Sequence, residues 1–162
     1  MITGKAKKPL NSFILQKTEY DCGPIAIFNA LVWFDLQPND KVYDRLFKLC
    51  KTDKEGTTTL DMNKALRWAA KKYDFSCEYK LQVTATEIVN HIKQGGSVVL
   101  GHSAPWEKRP TSHYSFWFDF EDNKVLGANV KWKQMYSYLT PLQLRQVSLN
   151  DDCWFLRKKE DE

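Results

Sequence analysis

Apolar and polar positions fall into helical periods in the first half of the chain and mostly into strand periods in the second. The densest apolar run is Ile25-Ala26-Ile27-Phe28-Asn29-Ala30-Leu31-Val32-Trp33, directly after Cys22-Gly23-Pro24. It predicts a buried helix. Pro24 holds φ at a helical value and lacks only an N–H that a first turn leaves unpaired, so the helix is expected to start near Cys22 or Gly23. After a break at Leu36-Gln37-Pro38-Asn39-Asp40, the residues Val42, Leu46, Leu49 and Cys50 share one helical face. A polar loop, Lys51 to Thr57, leads to a helix over Thr58–Ala70, capped by one of its threonines with Asp61 in the first turn. Phe75–Leu81 alternates as a half-buried strand with Cys77 on its inner side. A short helix from Thr84 or Thr86 to Lys93 closes at Gly95-Gly96. The run Ser97–Gly101 predicts a central strand ending at His102. Ser112–Phe120 and Lys124–Asn129 predict a hairpin around Glu121-Asp122-Asn123. Strand character continues from Val130 to Tyr138. Thr140-Pro141-Leu142-Gln143 then forms a capping box for a helix to Arg145 or Gln146, and Cys153–Arg157 is a last strand.

Composition narrows the class. A chain of 162 residues, 43% hydrophobic, suits one domain spanning 1–162, with flexible tails expected at 1–11 and 157–162. The net charge of +4 is modest. Lys131-Trp132-Lys133 interleaves base and aromatic, but no nucleic-acid motif accompanies it, so a nucleic-acid partner is not expected. The basic N-terminus lacks an apolar signal core, and no stretch approaches about 18 apolar residues, so a cytoplasmic protein is expected. Its four cysteines, Cys22, Cys50, Cys77 and Cys153, form no Cys-x-x-Cys pair. Neither a zinc site nor a disulfide framework is indicated, and no metal or organic cofactor is expected.

The candidate chemistry centres on Cys22. A thiol at a helix N-terminus has its thiolate favoured by the helix dipole and the free N–H groups. Gly23 beside it leaves room for a substrate carbonyl. Downstream, His113 begins one strand of the expected hairpin and Asn129 ends the other, so antiparallel pairing makes them neighbours. A cysteine, a histidine base and an amide that orients the histidine form the generalised triad. His102, at a strand end before a loop, competes for the part of base. No orienting residue follows it, so a structural or substrate-rim place is expected. Trp106 in that loop walls the cleft or covers the sheet edge, and Ser112 beside His113 is a further rim candidate. His91 is expected to be exposed without a partner. Cys50 and Cys153 read as packing residues.

Taken together, the spacing from Gln16 to Cys22, the Asp-Cys-Gly-Pro core, His113-Tyr114 and the polar residue sixteen positions after the histidine resemble the bacteriocin-processing cysteine peptidases. These are papain-like enzymes that remove leader peptides after a double glycine. The resemblance spans Gln16 to about Phe155 and includes Glu55-Gly56-Thr57 ahead of a helix. It implies an α+β, papain-like fold, with an N-terminal helical lobe packed on a C-terminal antiparallel sheet. It also implies Cys22 as nucleophile, His113 as general base and acid, Asn129 as orienter and Gln16 as the side-chain donor of the oxyanion hole. Gly56 and Thr57 would face the cleft, and the partner would be an extended peptide or protein segment, cut next to small residues such as glycine. The family normally has aspartate where this chain has Asn129. A transferase on the same triad and an inactive peptide-binding domain are the alternatives.

Overall fold

The computed structural model describes residues 13–103, 112–147 and 152–159. Helix α1, Cys22–Trp33, is buried on nearly every side, as an all-round apolar sequence requires. Helix α2, Asp40–Leu49, starts where the Asn39 side chain accepts the Val42 N–H at 3.2 Å. Helix α3, Thr59–Tyr73, starts where Thr58 accepts from Asp61 N–H at 3.2 Å. It stops at Asp74, whose φ of 55° leaves the helical region.

Six strands follow among the described residues: β1 Phe75–Lys80, β2 Ser97–Ser103, β3 Ser112–Glu121, β4 Lys124–Lys131, β5 Gln134–Leu139 and β6 Cys153–Lys158. They form one sheet in the order β1-β6-β2-β3-β4-β5, and every pairing is antiparallel. Strand β6 runs on through Arg157 and Lys158, which pair with Ser76 and Phe75. The tail expected from residue 157 is therefore sheet as far as 158, because β1 supplies its ladder partners.

Helix α4, Ala85–Lys93, opens with a reciprocal capping box between Thr84 and Glu87, and α5, Pro141–Val147, follows the one expected at Thr140 and Gln143. Both cover the sheet face opposite α1. Val99, Phe116, Ala128, Trp154 and Leu156 pack with α1, α2 and α3. Val98, Leu100, Trp117, Val125, Cys153 and Phe155 pack with α4 and α5. The architecture is α+β in three layers. A strand covered on both faces reads as a continuous apolar run instead of an alternating one, which is why Val98-Val99-Leu100 and Cys153-Trp154-Phe155-Leu156 look as they do.

His91 departs from its expected exposure. It is half-buried on α4, with Nε2–H donating to the Leu156 carbonyl at 2.8 Å. A Cβ at Gly96 would lie 2.2 Å from the ring nitrogen, so glycine there is what lets the imidazole lie flat on the chain.

Candidate functional site

The segment ahead of α1 is pinned by two fully buried polar side chains. Asn29 accepts the Ile14 N–H at 2.9 Å and returns its amide to the Ile14 carbonyl at 3.0 Å. Asp21 accepts from Lys17 N–H (3.1 Å), Thr18 N–H (3.0 Å), the Thr18 hydroxyl (3.2 Å) and the Tyr43 hydroxyl (2.8 Å). Gln16 lies between these two anchors. Neither anchor was given a part in the sequence reading. The available signals were a polar residue inside an apolar helix and a carboxylate just before a helix.

Asn129 sits where β4 breaks register with β5, between Ala128 and Lys131, and its φ is 56°. A residue in that conformation shifts the alternation of the strand by one. Ala128 accordingly packs with α1 while Val130 reaches the opposite face. His113, half-buried on β3, donates from Nε2 to the main-chain carbonyl of Asn129 at 2.7 Å. The side-chain amide was expected to make this contact. It turns instead to Gln16: Asn129 Nδ2 donates to Gln16 Oε1 at 2.9 Å, and Asn129 Oδ1 accepts the Gln16 N–H at 3.3 Å. The bulge is the physical reason, since it points carbonyl and side chain along directions that a regular strand would not offer. Gln16 Nε2 in turn donates to the Thr18 carbonyl at 2.9 Å.

His102 stands across the ladder from His113, with ring centroids 5.4 Å apart. It is only 1% exposed, which removes it from a substrate rim. Its Nδ1 bonds the Ser103 carbonyl at 2.7 Å and its Nε2 meets the Ser115 hydroxyl at 2.7 Å, and that hydroxyl also accepts from Trp117 Nε1 at 2.8 Å. A carbonyl only accepts, so Nδ1 carries the proton and Nε2 accepts from Ser115. Burial, aided by His113, brings the His102 pKa down to about 3 and keeps the ring neutral.

Cys22 opens α1 and is 6% exposed, against 0% for Cys50 and Cys153. Burial pushes the Cys50 and Cys77 thiols up to about 12 and raises Cys153 well above an ordinary thiol, so these three are poor nucleophiles. Helix α1 packs against β3, the strand of His113. Tyr114, the next residue, has its phenol raised to about 12 by burial, with Cys22 among the nearby acids that add to the rise.

The direction that a Cβ at Gly23 would take is filled by Met62 Sδ at 2.8 Å and Thr57 Oγ1 at 3.0 Å. Glycine there admits close packing from within, where sequence reasoning expected space for a carbonyl. The same contact seats Thr57 against the start of α1. Thr57 Oγ1 is also hydrogen-bonded to Thr52 Oγ1 at 2.8 Å, where either hydroxyl can donate. Gly56 closes a tight turn in which Asp53 and Gly56 exchange main-chain bonds, and its φ of 89° explains the residue type. Ser112 pairs with Ser103 in the ladder, and Trp106 lies outside the described residues. Among the described residues no group of three His, Cys, Asp or Glu is placed to hold a metal ion, and no helix is long and apolar enough to cross a membrane.

No family model and no curated protein matches the sequence. Solved structures do. The chain superposes on the peptidase domain of Streptococcus ComA, a bi-functional ABC transporter involved in a quorum sensing pathway, with a TM-score of 0.68 and 20% identity over 91% of this chain and 98% of that one. It superposes on a double glycine motif protease from an AMS/PCAT transporter, in complex with the leader peptide, with a TM-score of 0.67 and 14% identity over 96% and 95% of the two chains. The ComA peptidase domain of Streptococcus mutans gives 0.60 and 19% over 90% and 98%. The chain has the papain-like fold of these peptidase domains.

Proposed function

We propose that the protein is a cysteine peptidase that hydrolyses a peptide or isopeptide bond next to small residues such as glycine. The observation that carries the reading is the hydrogen bond from His113 Nε2 to the Asn129 carbonyl at 2.7 Å. A carbonyl can only accept, so Nε2 keeps its proton and Nδ1 of the neutral ring is left as the basic nitrogen. A backbone carbonyl thereby does for His113 what a triad carboxylate does for its histidine, though without a full negative charge to stabilise the imidazolium.

The sulfur of Cys22, its proton passed to His113, attacks the scissile carbonyl carbon, and the π pair moves onto oxygen. Gln16 and the Cys22 N–H stabilise that oxyanion. As the C–N bond breaks, His113 returns the proton to the leaving amine. Water then adds to the thioester, giving a proton to His113. The C–S bond breaks to release the acid, and the sulfur recovers its proton. Gly56 and Thr57 are assigned to the walls that receive the peptide. The substrate class follows the leader peptide bound by the AMS/PCAT protease.

Treatment with a glycyl-glycine vinyl sulfone and mass mapping tests the assignment. Adduct formation confined to Cys22, and abolished in His113→Ala, is expected. Adducts spread over Cys50, Cys77 and Cys153, or persisting in the histidine variant, would overturn it.

A further inference from the structure

Gln16 has an amide whose two ends look alike in shape and are opposite in chemistry. Only the nitrogen end can serve an oxyanion. Two main-chain groups decide which way it faces. The Gln16 N–H can only donate, so the atom of Asn129 that it meets at 3.3 Å is the oxygen, Oδ1. The other end of that side chain, Nδ2, must then donate, so the atom of Gln16 that it meets at 2.9 Å is Oε1. The remaining end of Gln16 is Nε2, and it faces the Thr18 carbonyl at 2.9 Å, which can only accept. The chain of assignments starts on a group that must donate and ends on one that must accept. No amide can be reversed without putting like against like.

The consequence lies in the proton count. An amide nitrogen carries two protons, and Thr18 takes one. Among the described residues no acceptor takes the other. From this arrangement we infer that Asn129 is a positioning residue for Gln16: its side-chain amide holds Oε1 and so presents an unspent Nε2 proton to the oxyanion, a task that aspartate at 129 would reverse. A carboxylate only accepts. It would attract Nε2 to itself and leave Oε1 facing outward, where it repels the developing charge. The asparagine thus acts through both ends, main chain on the base and side chain on the oxyanion donor. This inference rests on the cysteine-peptidase reading and adds to it the reason for asparagine at this position.

Three variants, Asn129→Asp, Gln16→Ala and the double variant, test it through two reagents. An acyl-glycyl-glycine aldehyde adds the Cys22 sulfur across its C=O, the sulfur going to carbon and the proton to oxygen, and so needs the oxyanion site. Iodoacetamide alkylates the same sulfur by displacing iodide and does not. The expected result is that Asn129→Asp loses about tenfold or more in aldehyde affinity beyond any loss in its alkylation rate, as removal of an oxyanion donor does. Gln16→Ala should lose a similar amount, and the double variant no more than the worse single one. A loss in Asn129→Asp that only tracks alkylation, or losses that multiply in the double variant, would overturn the inference. Should the unmodified protein take up neither reagent at Cys22, the peptidase reading itself falls. The amide pairing is then judged separately by 15N NMR. The two Gln16 side-chain proton shifts, assigned by their loss in Gln16→Ala, are expected to be well separated and to move toward free-amide values in Asn129→Gly. Free-amide values already present in the unmodified protein would overturn it.

Discussion

Asp21 is a fully buried carboxylate whose protein donors come from the Lys17–Thr18 loop and from Tyr43 on α2. Removing it leaves the Lys17 and Thr18 N–H groups and the Tyr43 hydroxyl without their acceptor, so Asp21→Ala should lower stability by about 3 kcal/mol in urea unfolding, and Tyr43→Phe by about 1. His102 supplies a second prediction, on pH. Its pKa is about 3 in the fold against an ordinary 6.5, so between these values the unfolded chain holds a proton that the native one lacks. Stability therefore rises with pH across that window and is lost on acidification below 6.5, by roughly 1.4 kcal/mol per pH unit for this one group. His91, lowered by burial, acts with the same sign. Denaturation midpoints at pH 7 and pH 5 should differ less in His102→Gln than in the unmodified protein; an unchanged difference would refute the assignment. At this scale the sequence placed His113 beside Asn129, because hairpin pairing is a matter of counting. It did not reveal which end of Asn129 meets the ring. That depends on one backbone torsion, and no residue pattern encodes it. The burial of His102 was hidden for a similar reason: a strand's last residue can as easily end in solvent as under a neighbour.

Among the elements, β4 carries the most consequence, since its bulge aims Asn129 at both Gln16 and His113. The bulge needs a residue that tolerates φ of 56°, and asparagine does so better than alanine. Replacing Asn129 by glycine keeps both the torsion and the carbonyl, whereas alanine keeps the carbonyl under strain. Asn129→Ala should be less stable than Asn129→Gly by about 1–2 kcal/mol, read from thermal or urea midpoints. Equal midpoints would mean that the strand straightens when the amide goes, and the His113 contact with it. Element identities were well marked in the chain, because caps and periods are local. Thr58, Thr84 and Thr140 each accept from an N–H three residues on, which is the pattern that a capping threonine announces. The bulge had no such mark. Asn129 and Val130 read as ordinary strand residues, and only the swap of Val130 to the far face exposes the slip.

At the scale of the molecule, the feature that sequence reading left out is the second helical layer. Amphipathic periods identify α4 and α5 as half-buried helices but say nothing of which sheet face receives them. Two apolar clusters result, one under α1, α2 and α3 and one under α4 and α5, and the sheet belongs to both. Cys50 lies wholly buried in the first and Cys153 in the second. Each is a native reporter for its own layer, since burial raises both thiols and neither can react until its cluster opens. Val98, Val99 and Leu100 point alternately into the two clusters from one strand, so opening either cluster strips packing from the other. The two layers should therefore come apart together. In alkylation across a urea series, Cys50 and Cys153 are expected to give the same opening free energy, equal to that of global unfolding. If Cys153 becomes reactive at a clearly lower urea concentration than Cys50, α4 and α5 form a separately melting unit. The helices that hold Cys22 would then stand on β3 without support from the far face.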